Sequence, residues 1–293
     1  MKKILFDKNS KFRLGWQIIS VILVSSIASL FSVIIASIIY QNLKINSFSG
    51  MISDTMDSNW GHALCSIILI LILYCVFRFI SKWHKLFWYN IGFTNNKPIA
   101  MTIFGFLCGI VICLLYIIPL YLSKQIKIEL LPFSLNVFVT LILGIIIYAG
   151  VSFSEEIVYR GFIQYSLDKK YKDWSIIITA LLFTITHFIN SSYSPISFIY
   201  LFIGGISLSL MRIVTKGIWF TFGFHITWNW VEITVFGLNN NNPIKRWFFT
   251  SVEEVTIWTG SNGNSGLAII LPLLIITTIL LYIIKVKKIK LNN

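Results

Sequence analysis

Four polar residues in hydrophobic stretches of the sequence carry the functional groups of a hydrolytic site: Glu155, His187, His225 and Asn229. A glutamate can take a proton from water as a general base, and a histidine can share that task or hold a metal ion. A histidine together with an asparagine can stabilise an oxyanion. Each histidine or asparagine alone is more readily explained as a hydrogen-bonded contact between helices, so the chemistry depends on whether the four residues converge.

Two adjacent glutamates, Glu155 and Glu156, interrupt one of these stretches, and Arg160 follows in the same run. A charged group at the depth of a bilayer is costly, so it is usually retained for a function or paired with an opposite charge. Side chains four apart share a helix face, which places Glu156 beside Arg160 and points Glu155 about 100° away. This register requires a helix that continues to about Leu167. We therefore predict that Glu156 and Arg160 support the site, and that the Glu155 carboxylate is free for chemistry.

The composition predicts an all-α fold, a polytopic membrane helix bundle with its site within the membrane. The chain has 293 residues, of which 56% are hydrophobic and 12% charged, and its mean hydropathy of +0.80 excludes an ordinary soluble globular protein. Eight apolar runs are long enough to span a bilayer, and the first, which lacks a cleavage site, is expected to be a retained helix. The runs are Gly15 to Tyr40, Gly61 to Ile80, Ile99 to Leu122, Phe133 to Phe153, Trp174 to Asn190, Ile196 to Val214, Ile218 to Gly237 and Gly266 to Ile284.

The distribution of lysine and arginine predicts the orientation in the membrane. With the N-terminus in the cytoplasm, eight spans put 19 of the 24 Lys and Arg residues on the cytoplasmic side and 5 outside. This asymmetry is typical of membrane proteins, so we predict that both termini are cytoplasmic. The loops account for the net charge of +13, and we do not expect nucleic acid as a partner.

The rise of an α-helix places the four polar residues at a similar depth. Counted from the cytoplasmic ends of their helices, Glu155, His187 and Asn229 lie roughly 18, 20 and 18 Å deep, and His225 about 12 Å. The shared depth favours a functional cluster in the cytoplasmic half of the membrane over four separate structural residues.

Three further features have structural interpretations. The spacing Gly105-x-x-x-Gly109 permits close packing of the third helix. Residues 81–97 mix basic and aromatic side chains, which is typical of a segment along the inner membrane surface. Glu232 could orient His225 or be a charge at the outer end of its helix, and we favour the second interpretation.

Three motifs, taken together and in this order, resemble those of the CAAX protease and bacteriocin-processing (CPBP, or Abi) family of intramembrane proteases. They are Glu155-Glu156-x-x-x-Arg160, Phe183-x-x-x-His187 and His225-x-x-x-Asn229. The resemblance covers about Phe133 to Gly237. It divides one integrated membrane domain into a three-span region (1–132), a catalytic core (133–237) and an outer loop with the last span (238–293).

The resemblance implies a role for each residue of the motifs. Glu155 and His187 would activate the attacking water, His225 and Asn229 would support the oxyanion, and Glu156 with Arg160 would hold the site together. The family is commonly called a metalloprotease, and the sequence leaves the metal requirement open. A divalent metal such as zinc, if one is bound, would be held by His187, His225 and Glu155.

The resemblance also implies a substrate class. Family members cleave prenylated C-terminal peptides in eukaryotes, or are linked in bacteria to peptide maturation and bacteriocin self-immunity. The richness in Lys, Ile and Asn favours a bacterial cytoplasmic membrane, and with it a peptide or membrane-protein substrate. Two alternatives remain: a noncatalytic membrane regulator or immunity protein on the same scaffold, and a proton-coupled transporter, which the absence of detectable internal repeats disfavours.

Overall fold

The computed structural model describes residues 14–44, 58–83, 88–94, 97–190, 195–238, 247–260, 266–287 and 289. Eight helices occupy this part of the chain, one in each predicted apolar run, so the all-α membrane architecture is confirmed. The helices are α1 (Leu14–Lys44), α2 (Asn59–Trp83), α3 (Pro98–Leu122), α4 (Leu135–Tyr171), α5 (Trp174–Asn190), α6 (Pro195–Thr215), α7 (Trp219–Asn229, continued by Trp230–Val235) and α8 (Ile270–Val286).

Six of the described helices are long and apolar enough to cross a membrane, and the chain is an integral membrane protein. Helix α5 has only 17 residues, and α7 has 11 residues followed by a segment of six. These two shorter helices carry His187, His225 and Asn229. Three of the four predicted site residues therefore lie on helices that are poorly suited to span a bilayer by themselves, and the fourth, Glu155, lies on the long helix α4.

Helix α4 extends about one turn beyond the predicted end at Leu167 and finishes at Tyr171. Asp168, the charged residue that directly follows the predicted end, is buried. Its carboxylate accepts a hydrogen bond from Ser175 Oγ of α5 and lies 3.6 Å from Arg212 Nη1 of α6. Because the charge is compensated by neighbouring helices, it does not end the helix.

Two helices contain π-helical segments, in which a backbone N–H donates to the carbonyl five residues earlier. The segment Glu156–Ile163 lies within α4 and ends with a bond from Gln164 N–H to Tyr159 O. The segment Trp230–Val235 ends α7 in the same way. Each begins one residue after a predicted site residue, which is where such local widening of a helix is often found.

Helices α3 and α7 pack with their backbones in contact. A Cβ atom added at Gly105 would lie 2.1 Å from Phe220 O, and one added at Gly223 would lie 1.9 Å from Thr102 O. Gly109 also faces α7, so the close packing predicted from the glycine spacing is confirmed. The contact fixes the position of the helix that carries His225.

Part of the basic and aromatic segment 81–97 packs inward rather than lying along a surface. Ile91 and Phe93 are buried, and the Phe93 ring stacks on Trp88 with 4.0 Å between centroids. The carbonyl of Gly92, a residue with φ of 94°, accepts a hydrogen bond of 3.0 Å from Ile218 N–H. The segment therefore supports the start of α7. Positions 84–87 and 95–96 of the predicted segment lie outside the described residues.

A two-stranded antiparallel sheet joins two connections between helices. Strand β1 (Ile126–Leu130) follows α3, and strand β2 (Phe248–Val252) precedes α8. Ile126 pairs with Val252 and Leu130 with Phe248. The sequence analysis did not predict these strands.

Candidate active site

Glu156 and Arg160 lie in contact, as the predicted helix register requires. Arg160 Nη1 donates to Glu156 Oε1 over 3.1 Å, and neither side chain is more than 1% exposed. The guanidinium also donates to Gly205 O of α6 at 3.5 Å and lies 4.4 Å from the centre of the Phe183 ring of α5. This buried pair therefore connects α4 to both neighbouring helices.

His225 lies between the two glutamates. Its Nδ1 is 3.0 Å from Glu156 Oε1, and its Nε2 is 3.5 Å from Glu155 Oε2. Because an ionised carboxylate can only accept, the Nδ1 hydrogen is donated to Glu156. Glu156 thus fixes the ring orientation and turns Nε2 toward Glu155.

Glu155 and His187 face each other at the accessible side of the cluster. Glu155 Oε1 is 3.7 Å from His187 Nε2, and the two side chains are 20% and 24% exposed. His187 Nδ1 lies 2.8 Å from Phe183 O, and because a carbonyl can only accept, Nδ1 carries the hydrogen. In the neutral ring the Nε2 lone pair therefore points toward Glu155.

The Phe183 ring, in the second motif, packs against both imidazoles. Its centroid is 4.4 Å from that of His187 and 6.3 Å from that of His225. Tyr159 contacts the same ring edge-on at 5.3 Å. Phe183 is itself buried, so it holds the two imidazoles apart at a fixed separation.

The structure brings Glu155, His187 and His225 together, and it shows no comparable interaction for Asn229 among the described residues. Asn229 lies one turn beyond His225 on α7 and is half-buried. Within the described ranges, no hydrogen bond or ion pair joins it to Glu155, His187 or His225. Its predicted role in oxyanion stabilisation stays a prediction.

The nitrogen and oxygen atoms of the cluster include types that can bind a metal ion. Imidazole nitrogen and carboxylate oxygen are suitable zinc ligands. However, the described part of the chain contains no group of three His, Cys, Asp or Glu side chains placed to hold a metal. Glu155 directs one oxygen toward each imidazole instead. That Glu155, His187 and His225 would be the ligands of a divalent metal, if one is bound, stays a prediction.

A cavity of about 510 Å³ opens beside Glu155 and His187. Its other walls include the hydroxyl groups of Ser25 and Ser29 on α1 and of Thr186 on α5. This volume lies in the range of cavities that bind small molecules. Glu155 and His187 are therefore accessible to the part of a substrate that fits within this volume.

The sequence analysis missed the serines of α1. Ser25, Ser29 and Ser32 are spaced by four and three residues, which is the signal of one helix face. That pattern marks a polar face in an otherwise apolar helix, and two of its members line the cavity.

The interpretation of Glu232 as a charge at the outer end of its helix is wrong. Its side chain is buried and accepts a hydrogen bond of 2.5 Å from Tyr116 Oη of α3. The alternative role, orienting His225, is taken by Glu156. No pattern in the sequence indicated Tyr116 as the partner, because the two residues are 116 positions apart.

Comparison with known proteins bears on this site. Residues 136–231, about a third of the chain, match the family model described as type II CAAX prenyl endopeptidase Rce1-like. No curated protein and no solved structure matches the chain significantly. The matched segment includes Glu155, His187, His225 and Asn229 but not α1 or Glu232. The resemblance predicted from the three motifs is thus confirmed: this central segment is similar to the Rce1-like family, which is consistent with a CAAX-type intramembrane protease.

Proposed function

We propose that the protein is an intramembrane endopeptidase in which Glu155 and His187 activate water for peptide-bond hydrolysis. The observation that carries the proposal is the Glu155 carboxylate, which lies at the wall of a cavity with one imidazole beside each oxygen. A purely structural carboxylate would be expected to resemble Glu156, which is buried against Arg160. Glu155 instead stays accessible from the cavity.

The separation of Glu155 and His187 suits a shared water molecule. Both Oε1 and the Nε2 of a neutral ring are acceptors, so neither can donate to the other across the 3.7 Å between them. A water oxygen about 2.8 Å from each atom can donate one hydrogen to each. Glu155 then takes a proton as the water attacks the peptide carbonyl, and returns it to the leaving amine.

The negative charge on the carbonyl oxygen requires donors. In its protonated form His225 has an Nε2 hydrogen that can donate, while Nδ1 stays bonded to Glu156. Asn229, one turn further along α7, is the second donor that we propose. Among the described residues this amide makes no hydrogen bond to the cluster, so it is available to donate to the oxyanion when a substrate binds.

For the substrate we propose a peptide or membrane protein of a bacterial cytoplasmic membrane, in peptide maturation or bacteriocin self-immunity. The composition and the resemblance to the CPBP family support this choice. The noncatalytic regulator is the alternative, and it differs in predicting no hydrolysis.

The proposal is tested by incubating purified protein with a pool of synthetic decapeptides of randomised sequence and following cleavage by mass spectrometry. We expect the wild type to cleave the peptides. Glu155→Gln should cleave about 10²- to 10⁴-fold more slowly, because the amide cannot accept the water proton. Glu129→Gln, the same change at an exposed carboxylate of β1, is the matched control and should cleave like the wild type.

Two outcomes would contradict the proposal. Wild-type cleavage by Glu155→Gln would remove Glu155 from the mechanism. No cleavage by folded wild-type protein under any condition would favour the noncatalytic regulator.

A further inference from the structure

Helix α1 presents two chemically different faces in the middle of its length. One face carries Ser25 and Ser29 and lines the cavity beside Glu155. The other carries Val24 and Phe31 and lines a separate groove of about 340 Å³, whose walls are entirely hydrophobic and shared with α2. A helix that only anchors the protein in lipid would not need hydroxyl groups on the face that meets the catalytic cluster.

The hydroxyl groups of this face offer both a donor and an acceptor to a ligand. Ser29 Oγ donates to Ser25 O over 3.0 Å, so its oxygen remains available as an acceptor. Ser25 Oγ makes no hydrogen bond within the part of the chain that the structure describes, so its hydrogen is available to donate. A peptide backbone needs both, since each residue brings one carbonyl and one N–H.

The spacing of the two serines matches an extended peptide. Residues four apart on an α-helix are about 6 Å apart along the axis. Alternate residues of an extended strand, whose backbone groups face the same way, are separated by roughly 6.5 to 7 Å. Inside a membrane, backbone groups left without a hydrogen-bond partner are costly, so a site that binds an extended peptide must supply partners.

We propose that α1 is the substrate-positioning wall of the active-site cavity, with Ser25 and Ser29 hydrogen-bonded to the backbone of an extended peptide whose scissile bond lies against Glu155. The proposal rests on the proposed endopeptidase function and adds a helix outside the family-matched segment to the site. The small side chain at Ser29 leaves room for the substrate, so a larger residue there closes the cavity.

Cleavage kinetics with the decapeptide pool test whether α1 positions the substrate. One hydrogen bond contributes about 0.5 to 1.5 kcal/mol, so Ser25→Ala and Ser29→Ala should each raise KM roughly 2- to 12-fold with little change in kcat. Ser29→Leu should abolish cleavage by filling the cavity. Ser20→Ala and Ser20→Leu, on the same helix but away from the cavity, are the controls and should cleave like the wild type. Thermal melting checks that every variant is folded.

A binding experiment separates this proposal from the catalytic one. In Glu155→Gln protein whose four native cysteines are replaced by alanine, a fluorescent maleimide labels Ser29→Cys or the control Ser20→Cys. The decapeptide pool should slow labelling at position 29 and leave position 20 unchanged. Equal labelling rates at position 29 with and without peptides would contradict the proposal that α1 positions the substrate.

The two experiments fail in different ways. Wild-type kinetics in all three variants at Ser25 and Ser29, together with an inactive Glu155→Gln, would contradict the positioning role of α1. The proposed endopeptidase activity would still stand. Protection of position 29 by peptides in a protein that cleaves none of them would support the wall and overturn the endopeptidase.

Discussion

At the scale of single residues, the site depends on the different surroundings of two adjacent glutamates. Glu156 is 1% exposed and accepts hydrogen bonds from Arg160 and His225. Glu155 is 20% exposed, and each of its carboxylate oxygens lies near one imidazole. One carboxylate therefore holds the histidine in place, and the other is available to a water molecule.

Removing other residues of the proposed site should affect catalysis to different degrees. We expect His187→Ala to be as severe as Glu155→Gln, because it removes the second acceptor for the attacking water. Asn229→Ala should retain a trace of activity, since loss of one oxyanion donor typically costs about 10² to 10³ in rate. Single-turnover cleavage of the decapeptide pool measures both, with Asn42→Ala, on the exposed end of α1, as control. A wild-type rate for Asn229→Ala would exclude that residue from the oxyanion site.

At the scale of helices, the buried ion pair connects α4 with α5 and α6. We predict that Glu156→Gln and Arg160→Ala will each lower the stability of the protein by about 3 to 5 kcal/mol, because each leaves the other charge buried without its partner. Lys127→Ala breaks the exposed pair with Glu129 and, because solvent screens that pair, should leave the melting temperature close to that of the wild type. Thermal unfolding in detergent measures all three. Wild-type melting temperatures in both buried variants would refute a stabilising role for the pair.

The contact between α3 and α7 should be equally sensitive to a single methyl group. Gly223→Ala places a Cβ 1.9 Å from Thr102 O, so the helices must separate, and we expect a loss of about 1 to 3 kcal/mol together with lower activity. Gly204→Ala is the matched control, because its Cβ would meet only Leu273 Cδ1 at 3.8 Å. Melting temperature and cleavage rate measured on both variants distinguish the two sites. Equal behaviour would show that the α3–α7 contact adjusts freely.

The sequence was informative where structure depends on the composition of one helix. The apolar runs predicted all eight helices, and the four-residue spacing placed Glu156 beside Arg160. It failed where the outcome depends on partners from elsewhere in the chain: Asp168 is compensated by Arg212, and Glu232 by Tyr116. The π-helical segments have no sequence signal of their own, since their bonds depend on the packing of neighbouring helices.

The polar face of α1 was missed for a different reason. Serine in a membrane helix usually donates to the backbone of its own helix, as Ser26 does to Ile22 O and Ser29 does to Ser25 O. The serine content of α1 alone therefore does not indicate a function. The indication comes from the structure, in which Ser25 and Ser29 line the cavity beside Glu155.

At the scale of the whole molecule, the orientation in the membrane is a prediction from the 19 to 5 distribution of Lys and Arg. In a cysteine-free background, a membrane-impermeant maleimide should label Lys127→Cys from outside intact cells, and Lys287→Cys only after permeabilisation. Both lysines are exposed, so a difference in labelling reports sidedness rather than burial. Labelling of both from the same side would contradict the eight-span topology.

The short helix α5 also has a consequence for the lipid around the protein. Among the side chains of α5 that the structure describes, the exposed apolar ones extend from Trp174 to Ile185, about 17 Å along the helix axis, against about 30 Å for the hydrocarbon core of a bilayer. Such a hydrophobic mismatch is relieved by thinning of the bilayer next to the helix, at a modest cost per ångström. The lipid annulus should therefore be thinnest on the side where His187 lies, so that bulk water has a shorter distance to travel to the cluster than it would through an undisturbed membrane.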